Sequence, residues 1–342
     1  MGEDQSRGGR RARLVNFSAQ AGYIFGVDIG ATSVDLALAD FTGGILSRTD
    51  AAANVLDGPP ILLDQVKSMM LSMLEEQSIP IEKIRGIGIG VPGPVEFSTG
   101  LLISPPIMPG WEAFPIRETF NEVFAQAVVM VDNDVNVMAL GELRRGKIKA
   151  ENCIFIKIGT GIGAGIVCKG KIYRGNIGCA GDVGHICVDY NGPLCHCGNV
   201  GCVEAMAAGP AIAAKAMQAA KEGRSAMLLE MMNQRGRDLT ARDVAEAAAK
   251  GDRPSTAIIQ ETGKLIGAML SSVVNFYNPS LILIGGGVSN SGYYLLSSIR
   301  RSVLQRSLPL STQDLRIEYN SLRGDAGIYG AIYLGLDHIF ST

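Results

Sequence analysis

Residues 23–40 read YIFGVDIGATSVDLALAD, and residues 153–170 read CIFIKIGTGIGAGIVCKG. Each stretch runs from an apolar strand through a turn of small residues into a second strand. In the first, Val34, Leu36 and Leu38 alternate onto one face. One glycine turn at a strand end is ordinary. Two copies of strand, glycine turn and strand in one chain predict an internal repeat. Two α/β halves follow, each opening on the same unit, with the natural place for a ligand in the cleft between them.

The segments around the repeats fit this plan. PPILLDQVKSMMLSMLEEQ has helical spacing, IRGIGIGVPG (84–93) is a buried strand entering a Gly/Pro turn, and AVVMVDND (127–134) is another buried strand. VNVMALGELRRG (135–146) continues as a helix with Asn133 or Asp134 near its start. Helices are expected around 204–222, 240–250 and 255–275, with TARD at 240 as a capping box. Residues 279–299 read as strand, glycine turn and helix, and AGIYGAIYLGLDHI closes the chain as a helix.

Length and composition bound the possibilities. The 342 residues leave room for two domains of ~150 residues. An apolar fraction of 47% permits a sizeable core, and 43 glycines favour tight turns over a helical bundle. A net charge of −2 offers no field to draw DNA or an anionic membrane. The basic run RGGRRAR (7–13) reads as a solvated tail, with a linker remnant or a nucleic-acid contact as alternatives, and residues 1–20 are expected to be disordered. No stretch approaches the ~18 apolar residues of a membrane span, and the N-terminus lacks the apolar core of a secretory signal. A cytoplasmic location is expected, where thiols stay reduced and a cysteine cluster reads as metal-binding before it reads as disulfides.

Glycine turns suit phosphate because backbone N–H groups can converge on an anion without a Cβ in the way. DIGATS (28–33) adds a carboxylate and two hydroxyls; GTGIGAG (159–165) adds a hydroxyl; GGG (285–287) makes a third turn. Together they point to a nucleotide. A P-loop is excluded, since its nearest match, Gly165–Ile172, ends in Ile where a hydroxyl should bind magnesium. GTGIGA meets the dinucleotide pattern, but GIVCKGKIY after it alternates like a strand, so the helix that should hold a pyrophosphate is missing. In VDNDVN (131–136), Asp134 can take a proton from a substrate hydroxyl and Asn133 can orient that substrate; a helix cap is the other reading of the same pair.

The loop GHICVDYNGPLCHCGNVGCVEA (184–205) holds four of the seven cysteines and two of the three histidines. His185, Cys195, Cys197 and Cys202 give H-x9-C-x-C-x4-C, the donor set of a closed tetrahedral zinc site. Cys187 and His196 read as bystanders, and Cys153, Cys168 and Cys179 as core thiols. Such a metal would stiffen a loop poor in apolar residues and aim Glu204, two residues after Cys202.

GVDIGATS, GVPGPV, DNDVNVMALGE, IGTGIGAG, AGDVGH, CHCGNVGCVEA and IGGGVSNSG, in this order, resemble the ROK family of sugar kinases and sugar-responsive repressors over residues 22–340. The resemblance implies an α/β fold of two ribonuclease-H-like (actin/hexokinase-like ATPase) domains, with ATP and sugar in the interdomain cleft and a structural zinc loop. It divides the chain into a basic tail or linker remnant (1–20), a small domain (21–134 plus 326–342) and a large domain (135–325) carrying the zinc loop 184–205. Asp28 would manage the Mg2+ of MgATP, and Gly30, Thr32, Thr160 and Gly161 would cradle phosphates. Gly286 and Gly287 would line the adenosine side. Asp134 would be the general base, and Asn133, Asp182, His185 and Glu204 would bind the hexose or N-acetylhexosamine. His185 would serve both zinc and sugar.

The chain departs from the kinase pattern at Asp182, where Glu is usual. It departs again in PPIMPGW (105–111), which offers Ile107 or Met108 in place of a common Asn, and at Ala31 and Ala164, where glycine is common. PPIMPGW and AGDVGH look more like the repressor branch, and RRARLVNFSAQAGY resembles the linker that follows its winged helix. The expectation is a sugar kinase; the alternative is a sugar-sensing effector domain lacking that winged helix. No DNA binding by this chain alone, no membrane association, and a homodimer or homotetramer are expected.

Overall fold

The computed structural model describes residues 2–3, 13–14, 21–105, 108–146 and 150–340. Within the stretch expected to be disordered, β1 (Gly2–Glu3) pairs antiparallel with β2 (Arg13–Leu14). The rest of 1–20 lies outside the described residues.

One five-stranded sheet contains β3 (Tyr23–Ile29), β4 (Ser33–Asp40), β5 (Ile45–Ala52), β6 (Ile84–Val91) and β9 (Val128–Asn133). Its connections hold α1 (Pro59–Gln77), the hairpin β7 (Val95–Glu96) and β8 (Leu101–Leu102), and α2 (Ile116–Asn121). Next comes α3 (Asp134–Arg144), then a second sheet of β10 (Cys153–Ile158), β11 (Ile162–Cys168), β12 (Lys171–Tyr173), β13 (Leu281–Gly285) and β14 (Arg316–Tyr319). Between β12 and β13 run α4 (Val203–Ala207), α5 (Gly209–Lys221), α6 (Ala226–Arg235), α7 (Ala241–Ala249) and α8 (Arg253–Tyr277). After β13 come α9 (Tyr293–Arg306) and α10 (Pro309–Thr312), and α11 (Ala326–Ile339) follows β14.

The strand orders are β5-β4-β3-β6-β9 and β12-β11-β10-β13-β14. In both, three antiparallel strands are followed by two that run parallel to the middle one. The repeat thus extends from one hairpin to a whole sheet. β3 and β10 sit at the centre with both faces covered, which is why each is a near-continuous apolar run. Each run carries one charged residue close to its C-terminal end, Asp28 in β3 and Lys157 in β10.

One core lies between the first sheet and α1, with Phe25, Leu36, Met70 and Phe120. Met108 and Trp111 belong to it; both are at most 1% exposed, and the Trp111 indole N–H donates to the Val55 carbonyl at 2.9 Å. A second core lies between the other sheet and α5, α7, α8 and α9. The two sheets meet through α3 and α11, where Val137 and Leu140 pack on Ala331 and Leu334. α11 also lies on β3 and β6. The approach is close: a Cβ at Gly88 of β6 would stand 1.9 Å from the Ala331 carbonyl oxygen.

The expected helix over 204–222 is two helices, α4 and α5, parted at Ala208, whose ψ of 169° is extended. Neither β5 nor α6 is expected from the sequence. The Thr240–Asp243 capping box is formed. None of the described helices is long and apolar enough to cross a membrane.

Candidate functional site

The two charged residues of the central strands come together with the start of α3. The Lys157 ammonium donates to Asp134 Oδ2, and both face Asp28. Asp134 is 4% exposed. Burial pushes the Asp28 carboxyl up to about 6; Lys157 opposes this and the charge of Asp134 adds to it. Burial works against the charge of Lys157, but Asp134 and Asp28 outweigh it and hold the ammonium above the usual lysine range. Asp28 is fitted against the first turn of α11, where a Cβ at Gly327 would lie 1.8 Å from Asp28 Oδ2.

Asn133 is first a helix cap. Its Oδ1 accepts the N–H groups of Val135 (2.9 Å) and Asn136 (3.3 Å), while Nδ2 donates to the Gly93 carbonyl (2.9 Å). One amide hydrogen remains to meet a ligand. Asp132, 2% exposed, fixes the same peptide from behind. Its Oδ1 accepts from Asn133 N–H and Asn136 Nδ2, and its Oδ2 from Arg174 Nε (2.9 Å) and Nη2 (2.7 Å). The Arg174 guanidinium lies 3.6 Å above the Phe97 ring. Arg174 follows β12 and Asp132 is in β9, so this pair ties one sheet to the other beside Asp134.

The glycine turns follow directly on the cluster. After Asp28, Gly30 N–H donates to the Ser33 carbonyl at 2.7 Å, and Thr32 is exposed. After Lys157, Gly159 N–H donates to the Gly161 carbonyl at 2.9 Å, and Thr160 is exposed. The third turn abuts the end of β10: Gly286 has φ +85°, and a Cβ there would stand 2.5 Å from the Ile158 carbonyl oxygen. A Cβ at Gly287 would meet open space. Residues 162–168 form a strand, so the pattern GTGIGA is not followed by a helix.

His185, Cys195, Cys197 and Cys202 converge as their spacing predicts, with one ligand atom from each all within 4.8 Å of one another. Cys195 Sγ is 3.6 Å from His185 Nδ1, and Cys197 Sγ is 3.7 Å from Cys202 Sγ. A zinc ion with bonds of ~2.3 Å to sulfur and ~2.05 Å to nitrogen at tetrahedral angles requires ~3.8 Å between sulfurs and ~3.6 Å between sulfur and nitrogen. The donor set therefore fits the ion before it arrives. Cys187 and His196 stand outside the set. Among the other thiols only Cys153 is buried; Cys168 and Cys179 are partly exposed.

The cysteine loop delivers a carboxylate to the second glycine turn. Glu204, in the first turn of α4, accepts Ile162 N–H at 2.8 Å, and a Cβ at Gly161 would stand 2.6 Å from the same oxygen. Gly209 N–H, at the start of α5, donates to the Gly159 carbonyl at 2.8 Å. Asp182 precedes the short turn that carries His185. Burial raises its pKa; His185 opposes this and Glu204 adds to it, which places the three side chains in one neighbourhood. His185 Nε2 has no hydrogen bond among the described residues.

Asp28, Asp134, Thr32 and Thr160 thus surround one junction, with Asp182, His185 and Glu204 reached across the turn 159–161. Met108, one of the two residues offered in place of the common Asn, is in the core. Ile107 lies outside the described residues. Sequence reasoning missed Lys157 and the Asp132–Arg174 pair. The signal for Lys157 was a single cation inside the apolar strand CIFIKI.

This class of α/β fold is known from solved structures. A ROK family glucokinase from Streptomyces griseus, determined with glucose and AMPPNP, superposes with a TM-score of 0.81 at 29% identity, over 92% of this chain and 100% of that one. The chain matches the ROK family over residues 24–338, and it belongs to that family. Its relatives fall on both sides of a functional divide. A glucokinase from Halalkalibacterium halodurans is 33% identical over 311 residues, covering 90% of this chain and 93% of that protein. A xylose repressor from Caldicellulosiruptor bescii is 30% identical over 341 residues, covering 99% and 84%.

Proposed function

We propose that the chain is an ATP-dependent hexose kinase that transfers the terminal phosphoryl group of ATP to a sugar hydroxyl. The observation that carries this reading is the meeting of Asp134, at the start of α3, with Asp28 and Lys157, which stand near the ends of the two central strands, each strand running at once into a glycine turn. Asp134 accepts the hydroxyl proton as the sugar oxygen bonds to phosphorus. Asp182, His185 and Glu204 offer acceptors and a ring nitrogen to the other hydroxyls, and the spare amide hydrogen of Asn133 adds a donor. Thr32, Thr160 and Gly161 offer hydroxyl and backbone donors to phosphates, while Gly30, whose N–H bonds the Ser33 carbonyl, shapes the turn that presents them. Gly286 lets the third turn close on β10, and Gly287 leaves room for the adenosine. Asp28 would hold the Mg2+ that accompanies ATP and offsets its charge. Zinc at His185, Cys195, Cys197 and Cys202 would lock the loop 184–205.

In this reading the two sheets belong to two ribonuclease-H-like domains, 21–134 plus 326–342 and 135–325, with the cleft between them. The packing of α11 on β3 and β6 supports the return of the chain end to the first. A cytoplasmic homodimer or homotetramer acting on a hexose or N-acetylhexosamine completes the proposal. The test is coupled ADP release with glucose, mannose, fructose, N-acetylglucosamine and N-acetylmannosamine. Turnover on one of them is expected, and silence across the panel overturns the reading.

A second reading, a sugar-sensing effector module that does not bind DNA by itself, is favoured by the xylose repressor similarity over nearly the whole chain. It predicts sugar binding by calorimetry without ADP release.

A further inference from the structure

Lys157 has no task in the reading above, yet it stands at the centre of the site. A lysine in a central strand is costly to bury unless paired. Here its ammonium bonds Asp134 and faces Asp28. Its side chain runs along the second glycine turn, with Cε 3.8 Å from where a Cβ of Gly159 would be. The ammonium therefore lies where the turns after β3 and β10 meet. Two carboxylates and one ammonium sum to a single negative charge. A phosphoryl group entering this junction without Lys157 would face two carboxylates and no protein cation from the cluster. An ammonium has three donors, and Asp134 uses one.

We infer that Lys157 is a further catalytic residue, whose ammonium binds the terminal phosphoryl group of the nucleotide beside Asp134. This rests on the kinase reading. The sugar oxygen forms its bond to phosphorus as the bond from phosphorus to the bridging oxygen breaks. The hydroxyl proton goes to Asp134, ADP leaves with the bond's electron pair, and Lys157 keeps its protons while offsetting the charge on the transferring group.

The test compares the full chain with Lys157→Met and Lys157→Arg. Calorimetry with ADP and with AMPPNP, both with magnesium, measures contact with the terminal phosphoryl group without turnover. The parent is expected to prefer AMPPNP, and Lys157→Met to lose roughly tenfold of that preference with ADP affinity unchanged. Coupled ADP release should show kcat reduced on the order of 10²-fold with little change in the KM for sugar. Lys157→Arg, which keeps the cation, should recover part of both. Should Lys157→Met fail to fold, Lys157→Gln is read on the same terms. An unchanged AMPPNP preference overturns the inference. So does a rise in kcat, which would mean that the ammonium only masks the base, and so does a parallel fall in ADP and AMPPNP affinity, which would mean a structural role. A parent without turnover on any hexose refutes the kinase reading alone, and the AMPPNP-to-ADP ratio then decides the phosphoryl contact. A parent that binds neither nucleotide overturns both.

Discussion

Glu204 accepts the backbone N–H of Ile162 at 2.8 Å, so the helix that follows the cysteine cluster is fastened to the glycine turn after β10. This bond joins the candidate metal site to the proposed phosphate site. Elemental analysis of unchelated protein should find one zinc per chain. Chelation should lower the melting temperature by several degrees and weaken sugar binding together. Burial raises the Cys202 thiol, so metal binding must release its proton. Zinc affinity is therefore expected to fall as pH is lowered, which competition with a chromophoric chelator at several pH values checks.

Asp134→Asn removes the proposed base while keeping the shape of the side chain. Turnover should fall by ~10²–10⁴-fold with the fold intact by circular dichroism. Sugar affinity measured by calorimetry should change much less. A variant that phosphorylates sugar at the parent rate would remove Asp134 from the mechanism.

Asp28 links stability to pH. Its carboxyl has a folded value of about 6 against an ordinary 3.8. The folded chain thus holds the proton more tightly than the unfolded chain. Its favourable contribution is complete below the ordinary value and is lost as pH rises through about 6. At neutral pH the buried charge costs at most about 2–3 kcal/mol. Asp28→Asn should raise the melting temperature at pH 7.5 and leave it nearly unchanged at pH 4. The same variant should lose ADP release, separating stability from function in one side chain.

What the sequence made legible follows from which signals are local. β3, β4, β10 and β11 were readable because apolar runs broken by glycine are written in consecutive residues. The cluster of His185, Cys195, Cys197 and Cys202 was readable because thiols are scarce and their spacing is tight. β5 was not, because ILSRTDAA lies at a sheet edge and is mostly exposed, so no apolar alternation marks it. α6 was missed because AMLLEMMNQR buries only Leu228 and Met231 deeply. The split at Ala208 did have a local signal, Gly209 followed by Pro210, which fits the first turn of a helix and not its interior. The run of alanines on either side masked it, and the fold adds a bond from Gly209 to Gly159. The pairings of Lys157 and Arg174 were unreadable for a stronger reason, although Lys157 stood out as a lone cation in an apolar strand. Their partners lie 23 and 42 residues away, and only the fold brings them together.

The packing of α11 gives a steric prediction. Gly327→Ala would drive a methyl group into the Asp28 carboxylate, at 1.8 Å in the present geometry. The neighbour is a short, hemmed-in carboxylate, so either α11 shifts or Asp28 turns away. A loss of about 1–3 kcal/mol is expected on chemical denaturation. Activity should fall further than stability explains, because Asp28 leaves its position. Gly324→Ala, where an added Cβ meets nothing within 4 Å, is the control and should be near neutral in both assays.

Arg174 and Asp132 carry the last prediction. Asp132 is 2% exposed and its two oxygens accept from Asn133, Asn136 and Arg174. Removing the cation strands a buried carboxylate, so Arg174→Met should destabilise the chain by about 3 kcal/mol. Asp132→Asn leaves the guanidinium partly exposed and stacked on Phe97, and should cost less. The double variant should then be more stable than Arg174→Met alone, because the stranded charge is gone. Asn133 and Asp134 hang on the same peptide, so Arg174→Met should also raise the KM for sugar. Denaturation curves for the three variants check the energetic order. If the double variant is less stable than either single one, Arg174 acts through its stacking on Phe97 and not through its charge.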